Sequence, residues 1–368
     1  MDYKRMPIEV ESPEQKGYAS IDCNLAESSV SDTRLNLELL QGQEIDLLYG
    51  DHWGHGGLRK LIAEEYGMHE DEILLTPGAA GALFIISTTL LEPTSNLLVE
   101  WPNYATNIET PRAIGCNIDQ LMLKEVDGFH AEKKVLEEML SKRKYDLISI
   151  TQPHNPTGRM FDEGTLKYLV EISKKNGSML LVDETYRDLS LLEKTSVAAS
   201  LSSHVISVSS VSKAFGLPGL RIGWIACKNK ELMEKFLAAK EQIIICNSIL
   251  DETLAYVYYK RKKEHFIPIQ KRIQNNLKVY TTWIHEHPSM KGIAPMGGVV
   301  AFPRITANVD IKKFYQILEE KYKTMVGPGH WFEMPDEYMR IGFGWPTEEQ
   351  FERGLKNIDL AIKESLIA

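Results

Sequence analysis

Between about residues 70 and 230 the chain alternates short β-rich apolar runs with amphipathic helical patterns, and that alternation leaves few folds open. The runs fall at 73–76, 96–100, 147–151, 179–182, 205–209 and 222–227, and stretches such as 131–140 and 163–175 between them carry apolar residues at helical spacing. Strand, helix, strand in succession needs crossover connections, so the runs predict a mostly parallel sheet flanked by helices. Sheets of this kind hold ligands outside the carboxyl ends of their strands, and the polar motifs of this chain sit where the runs stop. Residues 230–286 read as helix; two short strand signals follow at 298–302 and 338–343, then a closing helix over 347–367. The expectation is an α/β protein with a large domain over 46–285. A smaller α+β domain draws on an N-terminal arm, 1–45, and a C-terminal part, 286–368. A chain of 368 residues suits two such units better than one core.

Composition narrows the partners. Lys and Arg number 42 against 51 Asp and Glu, a net charge of −9, which opposes nucleic acid or an anionic membrane as the main partner. The most apolar long stretch, 79–91, is interrupted by Gly81, Ser87, Thr88 and Thr89 and stops before Pro93, too short to span a bilayer. The first residues lack the apolar core of a signal peptide, so a cytoplasmic protein is expected. Cys23, Cys116, Cys227 and Cys246 form no CxxC pair and read as idle thiols. No metal site is expected: His52 and His55 stand three apart, but they read as pocket lining or packing.

The densest polar motif is SSVSKAFGLPGLRIGW at 209–224. A lysine just past a strand, among hydroxyls and glycines, suits Schiff-base chemistry, because a nearby cation helps to keep its amine neutral and nucleophilic. Arg221 supplies such a cation and can fork onto a phosphate. Elsewhere LVDETY at 181–186 places an acid at the end of a buried run, PHNPTG at 153–158 is turn chemistry, and TPGAAGA at 76–82 joins strand to helix with small residues. Small residues at such a join let backbone N–H groups approach an anion. WPNY at 101–104, YGDHWG at 49–54 followed by GLR at 57–59, and VGPGHWF at 326–332 preceding YMRIGF at 338–343 complete the set. Each element alone has a plain structural reading: a solvated lysine, a helix cap, a loop, a core aromatic, a surface arginine.

Taken in order over about 45–345, these elements resemble the class I/II aminotransferases, pyridoxal-phosphate (PLP) enzymes of fold type I. The resemblance implies that Lys213 carries the cofactor as a Schiff base and moves the substrate α-proton, with Asp183 and Tyr186 completing the catalytic set. Asp183 would pair with the protonated pyridine nitrogen, and Tyr186 and Asn155 with the ring hydroxyl oxygen. Tyr104 would stack on the ring. Gly78, Ala79 and Ala80, through their main chain, and Ser210, Ser212 and Arg221 would hold the phosphate. Asn155 and Arg340 would hold the substrate carboxylate. Tyr49 would reach the phosphate bound by the neighbouring subunit, which implies a homodimer with shared active sites. Three positions depart from the family pattern: Ala80 replaces a frequent hydroxyl, Asn107 replaces a common second tyrosine, and 24–29 lacks the usual Gly–Pro pair. Glu27 in that last segment reads as a solvated loop charge, with contact to a cationic substrate group as the alternative.

The resemblance implies an aminotransferase that moves an amino group between an amino acid and a 2-oxo acid. The alternative is another fold type I reaction on an amino acid, such as β-elimination, γ-replacement, decarboxylation or cyclisation, since the organic chemistry belongs to the cofactor. A ligand-sensing regulator on the same scaffold is set aside, because only about 20 residues precede the first family-like segment, fewer than a helix-turn-helix domain needs.

Overall fold

The computed structural model describes residues 1–32 and 44–367; most of the second half of the expected arm, 33–43, lies outside the described residues. All six apolar runs are strands: β1 (Ile73–Pro77), β2 (Asn96–Trp101), β4 (Leu147–Thr151), β5 (Met179–Asp183), β6 (Val205–Ser210) and β7 (Ile222–Cys227). A seventh, β3 (Asn117–Met122), was not legible. It is an edge strand, paired only with β2, and its mostly unburied residues include Asp119 and Gln120, which break the apolar pattern. The sheet runs β1-β7-β6-β5-β4-β2-β3, with β7 antiparallel to both its neighbours and the other pairs parallel.

Strands β4, β6 and β7 are buried at every position, because helices cover both faces. The period of two sorts their side chains. Leu147 of β4 joins Leu83 and Ile86 from the helix Gly78–Leu90 on one face, and Ile148 joins Leu136 and Leu166 from Lys133–Lys142 and Glu163–Asn176 on the other. The apolar stretch 79–91 is thus a sheet-packed helix. Among the described residues no helix is long and apolar enough to cross a membrane.

The stretch 230–286 is helical as expected, in three pieces, Lys230–Ile244, Ile249–Lys260 and Lys262–Glu286. Beyond it a three-stranded antiparallel sheet sets Met339–Gly342 between Val300–Ala301 and Gly327–Pro328. The pairing of Cys23–Asn24 with Thr324–Met325 ties the N-terminal arm to this region; two residues are too few for any periodic signal. The last helix, Glu348–Ser365, starts on a capping box between Thr347 and Gln350 and buries Phe351, Leu355, Ile358 and Ile362 along one face. Removing the fully buried Phe351 ring would cost about 3–5 kcal/mol.

Candidate active site

Strands β1, β4, β5 and β6 all end on one edge of the sheet, and there a cavity of ≈ 320 Å³ is lined by Ala79, Ala80, Tyr104, Asn155, Asp183, Tyr186, Ser210, Ser212, Lys213 and Arg221. The positions follow from the strand ends: β5 stops on Asp183, β6 on Ser210, and the turn after β4 carries Asn155. Residues far apart in sequence, from Ala79 to Arg221, meet because they sit at the same edge of the sheet.

Gly78 lies directly behind this lining. Its φ is +74°, and a Cβ there would stand 2.6 Å from Nη2 of Arg221. The helix Gly78–Leu90 has Pro77 at its N-cap and no side-chain cap, so the first-turn N–H groups are left for another acceptor. Arg221 is itself left-handed, φ 52°, after the turn Pro218–Leu220, and Nη1 donates to the Pro218 carbonyl at 2.9 Å. Bare N–H groups and a guanidinium converge on one end of the cavity.

Asp183 is buried, and burial pushes its carboxyl up from the ordinary range, opposed by hydrogen bonds from Thr185 and Asn107. Thr185 donates to Oδ1 through Oγ1 at 2.6 Å and through its backbone N–H at 3.0 Å. Among the described residues no cation lies within ion-pair distance of this carboxylate. Tyr186 is buried beside it; burial pushes its phenol up to about 12, opposed by the charge of Arg340 and a hydrogen bond with Ser28.

Arg340 sits in the central strand of the small sheet, 3% exposed, so it is not the surface charge that an isolated arginine would be. Nη1 donates to Asn155 Oδ1 at 3.2 Å and Nη2 to the Ala26 carbonyl at 2.7 Å, with the Phe332 and Trp331 ring centroids 5.1 Å and 5.9 Å away. Nε has no partner, and no carboxylate pairs with the guanidinium among the described residues. A buried, uncompensated cation is expensive, and burial lowers its proton affinity. Lys213 is half-buried; its carbonyl accepts from Val30 N at 3.1 Å, and Gly216, φ +63°, lets Ser31 pass where a Cβ would be 2.4 Å from its carbonyl oxygen. The segment 28–31 therefore lies on the lysine turn.

The cavity also takes in Ser28, Thr151, Thr185 and Glu14, which the motifs did not single out. Thr185 lies inside the LVDETY element and Thr151 shortly before PHNPTG, and they had that much signal. Ser28 and Glu14 reach the site only because the arm folds back. Asn107, where the family resemblance implied a tyrosine, is 4% exposed and donates to Asn103 Oδ1 at 3.3 Å, which also accepts from Thr151 Oγ1 at 3.1 Å. It also hydrogen-bonds the Asp183 carboxyl, and it is not among the residues lining the cavity.

Tyr49 is not brought to this cavity; it is 82% exposed beside Leu47 and Leu48, at 81% and 74%. His52 Nδ1 lies 2.6 Å from Glu241 Oε1, and His55 Nδ1 accepts from Leu58 N at 3.1 Å, capping the helix Gly56–Tyr66. Trp53 packs under Arg59, whose Cζ is 5.4 Å from the ring centroid. These residues serve packing and capping. Glu27 is half-buried and accepts from the Tyr18 hydroxyl at 3.0 Å, so it is not a freely solvated charge.

A sequence profile of aminotransferase class I and II matches residues 28–358. The chain belongs to that family, and it is a PLP-dependent transferase of amino groups. Capreomycidine synthase of Streptomyces vinaceus is 28% identical over 88% of this chain and 84% of its own. An aspartate aminotransferase of Sulfurisphaera tokodaii is 27% identical over 84% of this chain and 81% of its own. The crystal structure of a PLP-dependent aminotransferase from Streptococcus suis superposes with a TM-score of 0.89 at 26% identity, covering 100% of both chains.

Proposed function

We propose that Lys213 is the residue to which PLP attaches in this aminotransferase, and that the substrates are an amino acid and a 2-oxo acid. The observation that carries the reading is one cavity edged by a half-buried lysine and the buried Asp183, with the buried Arg340 bonded to Asn155 of its lining. The donor set fits the cofactor. An acid pushed up by burial, with no cation nearby, is what a protonated ring nitrogen would return to the carboxylate form. The uncapped helix at Gly78–Ala80, with Ser210, Ser212 and Arg221, suits a phosphate. Tyr104 supplies an aromatic face, and Tyr186 and Asn155 supply hydrogen bonds to a ring oxygen.

PLP, when bound, supplies the electron sink for a carbanion at the substrate α-carbon. Arg340 and Asn155 orient the amino acid by its carboxylate, which neutralises the buried guanidinium. The Lys213 amine then removes the α-proton and returns a proton, as general base and acid. Asp183 holds the positive charge of the ring nitrogen through the step, and Thr185 and Asn107 hold Asp183. Ser28–Ser31, lying on the lysine turn, shields it from bulk water.

Tyr49 belongs, in this reading, to the phosphate site of a second copy, and the exposed run Leu47, Leu48 and Tyr49 supports an interface there. A homodimer follows from the same proposal. We also assign 46–285 to a cofactor domain and 286–368, with 1–45, to a smaller one. The confinement of the large sheet to 73–227 supports this, as does the pairing of Cys23–Asn24 with Thr324–Met325.

Borohydride reduction followed by peptide mapping tests the site: the cofactor should be fixed on Lys213, and a label on another lysine refutes the assignment. A visible-to-ultraviolet absorbance shift with an amino acid, reversed by a 2-oxo acid, separates transamination from elimination or cyclisation.

A further inference from the structure

The charges around the cavity leave one sign unanswered. Lys213 and Arg221 are the cations among its described lining residues, and both are committed to the cofactor; Arg340 is committed to a carboxylate. On the anionic side Asp183 is committed to the ring nitrogen, but Glu14, which also lines the cavity, makes no hydrogen bond or ion pair with the described residues. It stands on the one-turn helix Pro13–Lys16, whose Lys16 is turned away onto Glu319 at 2.8 Å. Two more carboxylates, Glu27 and Asp32, stand close enough to act with Glu14 on the same phenol, that of Tyr18. Glu27 accepts from Tyr18, and Asp32 accepts from Nε1 of Trp345 at 3.3 Å. The rings of Tyr18 and Trp345 stack 5.9 Å apart at 12°. Glu27, Glu14 and Asp32 all raise the Tyr18 phenol, after burial, and Glu27 and Glu14 both act on Arg340.

Arg340 fixes where the other end of a substrate must start. It is 3% exposed, its Nε has no partner, and Nη2 is bonded to the carbonyl of Ala26, the residue before Glu27. An amino acid anchored there by its carboxylate extends its far end towards the rim. Resting on the amino-transfer reading, we propose that the amino donor carries a cationic side chain, an ammonium or guanidinium. Glu14 and Glu27 receive it, and the Tyr18–Trp345 pair offers the aromatic face that such cations favour. The same rim repels a second carboxylate, so dicarboxylic amino acids are poor donors.

Two measurements on the holoenzyme test this. The first is calorimetric binding of carboxylates that lack a primary amine and cannot form a Schiff base: 5-guanidinopentanoate and 5-(trimethylammonio)pentanoate against hexanoate and glutarate. The cationic acids should bind about tenfold tighter than hexanoate, and glutarate more weakly, with the preference shrinking as salt rises. Glu14→Gln combined with Glu27→Gln should bring the cationic-to-neutral ratio to about one, while the visible absorbance of the bound cofactor shows the fold and site intact. The second is kcat/KM for arginine, ornithine and lysine against norleucine and glutamate, where a basic donor should lead. Transamination with a neutral or acidic donor in the lead, or a ratio unmoved by the double variant, overturns this proposal and leaves the Lys213 reading standing. Failure to trap the cofactor on Lys213 overturns the reading beneath it.

Discussion

Arg340 donates through Nη1 to Asn155 Oδ1 at 3.2 Å, although the two residues stand 185 positions apart, one in the small sheet and one in the turn after β4. The bond holds the planar guanidinium in one orientation, and the unpaired buried charge behind it makes the site ready for a carboxylate before any ligand arrives. Removing a charged partner and leaving its mate buried costs about 2–5 kcal/mol. Arg340→Ala is therefore expected to raise KM for amino acids by a factor of tens to thousands, roughly that energy converted at 1.4 kcal/mol per decade. Cofactor binding, read from visible absorbance, should survive. Arg340→Lys should rescue little, because an ammonium cannot form the fork. Unchanged KM in either variant removes Arg340 from substrate binding.

Gly78 and Arg221 make a second close pair. A methyl at Gly78 would meet Nη2 of Arg221 at 2.6 Å and would also be strained at φ +74°. Gly78→Ala is expected to displace the guanidinium and lower PLP affinity by about tenfold or more, a loss of roughly 1.4 kcal/mol for each decade. Equilibrium dialysis of PLP measures it. Stability without cofactor should fall too, by about 1–3 kcal/mol for the strained residue. A loss of stability with undiminished PLP affinity refutes a phosphate site here.

Much of the site was legible because its residues lie at strand ends, where a local pattern marks both strand and turn. Asp183 closes a buried run, and Lys213 follows one within a few residues. The strand β3 was hidden by solvent exposure, which replaces apolar alternation with residues such as Asp119 and Gln120. Glu14 and Ser28 were hidden for another reason. They reach the cavity through the two-residue pairing of Cys23–Asn24 with Thr324–Met325 and through the bond from Val30 to Lys213, contacts between distant segments that no short window contains. The central position of Arg340 depends likewise on two partners far off in sequence.

Glu100 and His154 give a pH signature. Both are buried, 3.9 Å apart between Oε2 and Nε2. Burial raises the Glu100 carboxyl to about 8 and lowers the His154 imidazole to about 3. A raised carboxyl favours the fold below its unfolded value and loses that contribution as pH climbs through its folded value. A depressed imidazole does the reverse, losing stability as pH falls below its unfolded value. Above about pH 6.5, the unfolded histidine value, His154 is mostly neutral in both states and Glu100 dominates. From there to pH 8 Glu100 should cost the fold about 2 kcal/mol, a slope near 1.4 kcal/mol per pH unit. Glu100→Gln keeps an acceptor for the Thr151 N–H, which bonds Oε2 at 2.8 Å, and should remove that slope. Thermal melts at pH 6.5 and 8.5 on both proteins decide. Parallel profiles would mean that Glu100 is already ionised in the folded state.

Tyr49 tests whether the site is shared. Its ring is 82% exposed and lies outside the cavity of its own chain, next to exposed Leu47 and Leu48. A phenol can donate to a phosphate oxygen, and a two-fold interface places two such contacts at once. PLP should then tighten the dimer, because the ligand binds the assembled form in preference. Sedimentation with and without PLP reads this. The stronger test mixes two inactive variants, Tyr49→Asp, which sets a carboxylate against the phosphate, and Lys213→Ala. In a mixed dimer the Tyr49→Asp chain keeps its lysine and receives a normal tyrosine from its partner, so one site is complete. Random exchange at equal amounts makes half the dimers mixed, and activity should return to about a quarter of the unmodified level. A Tyr49 acting within its own chain leaves every site with one defect in either arrangement. The mixture would then stay inactive even after subunit exchange had been demonstrated.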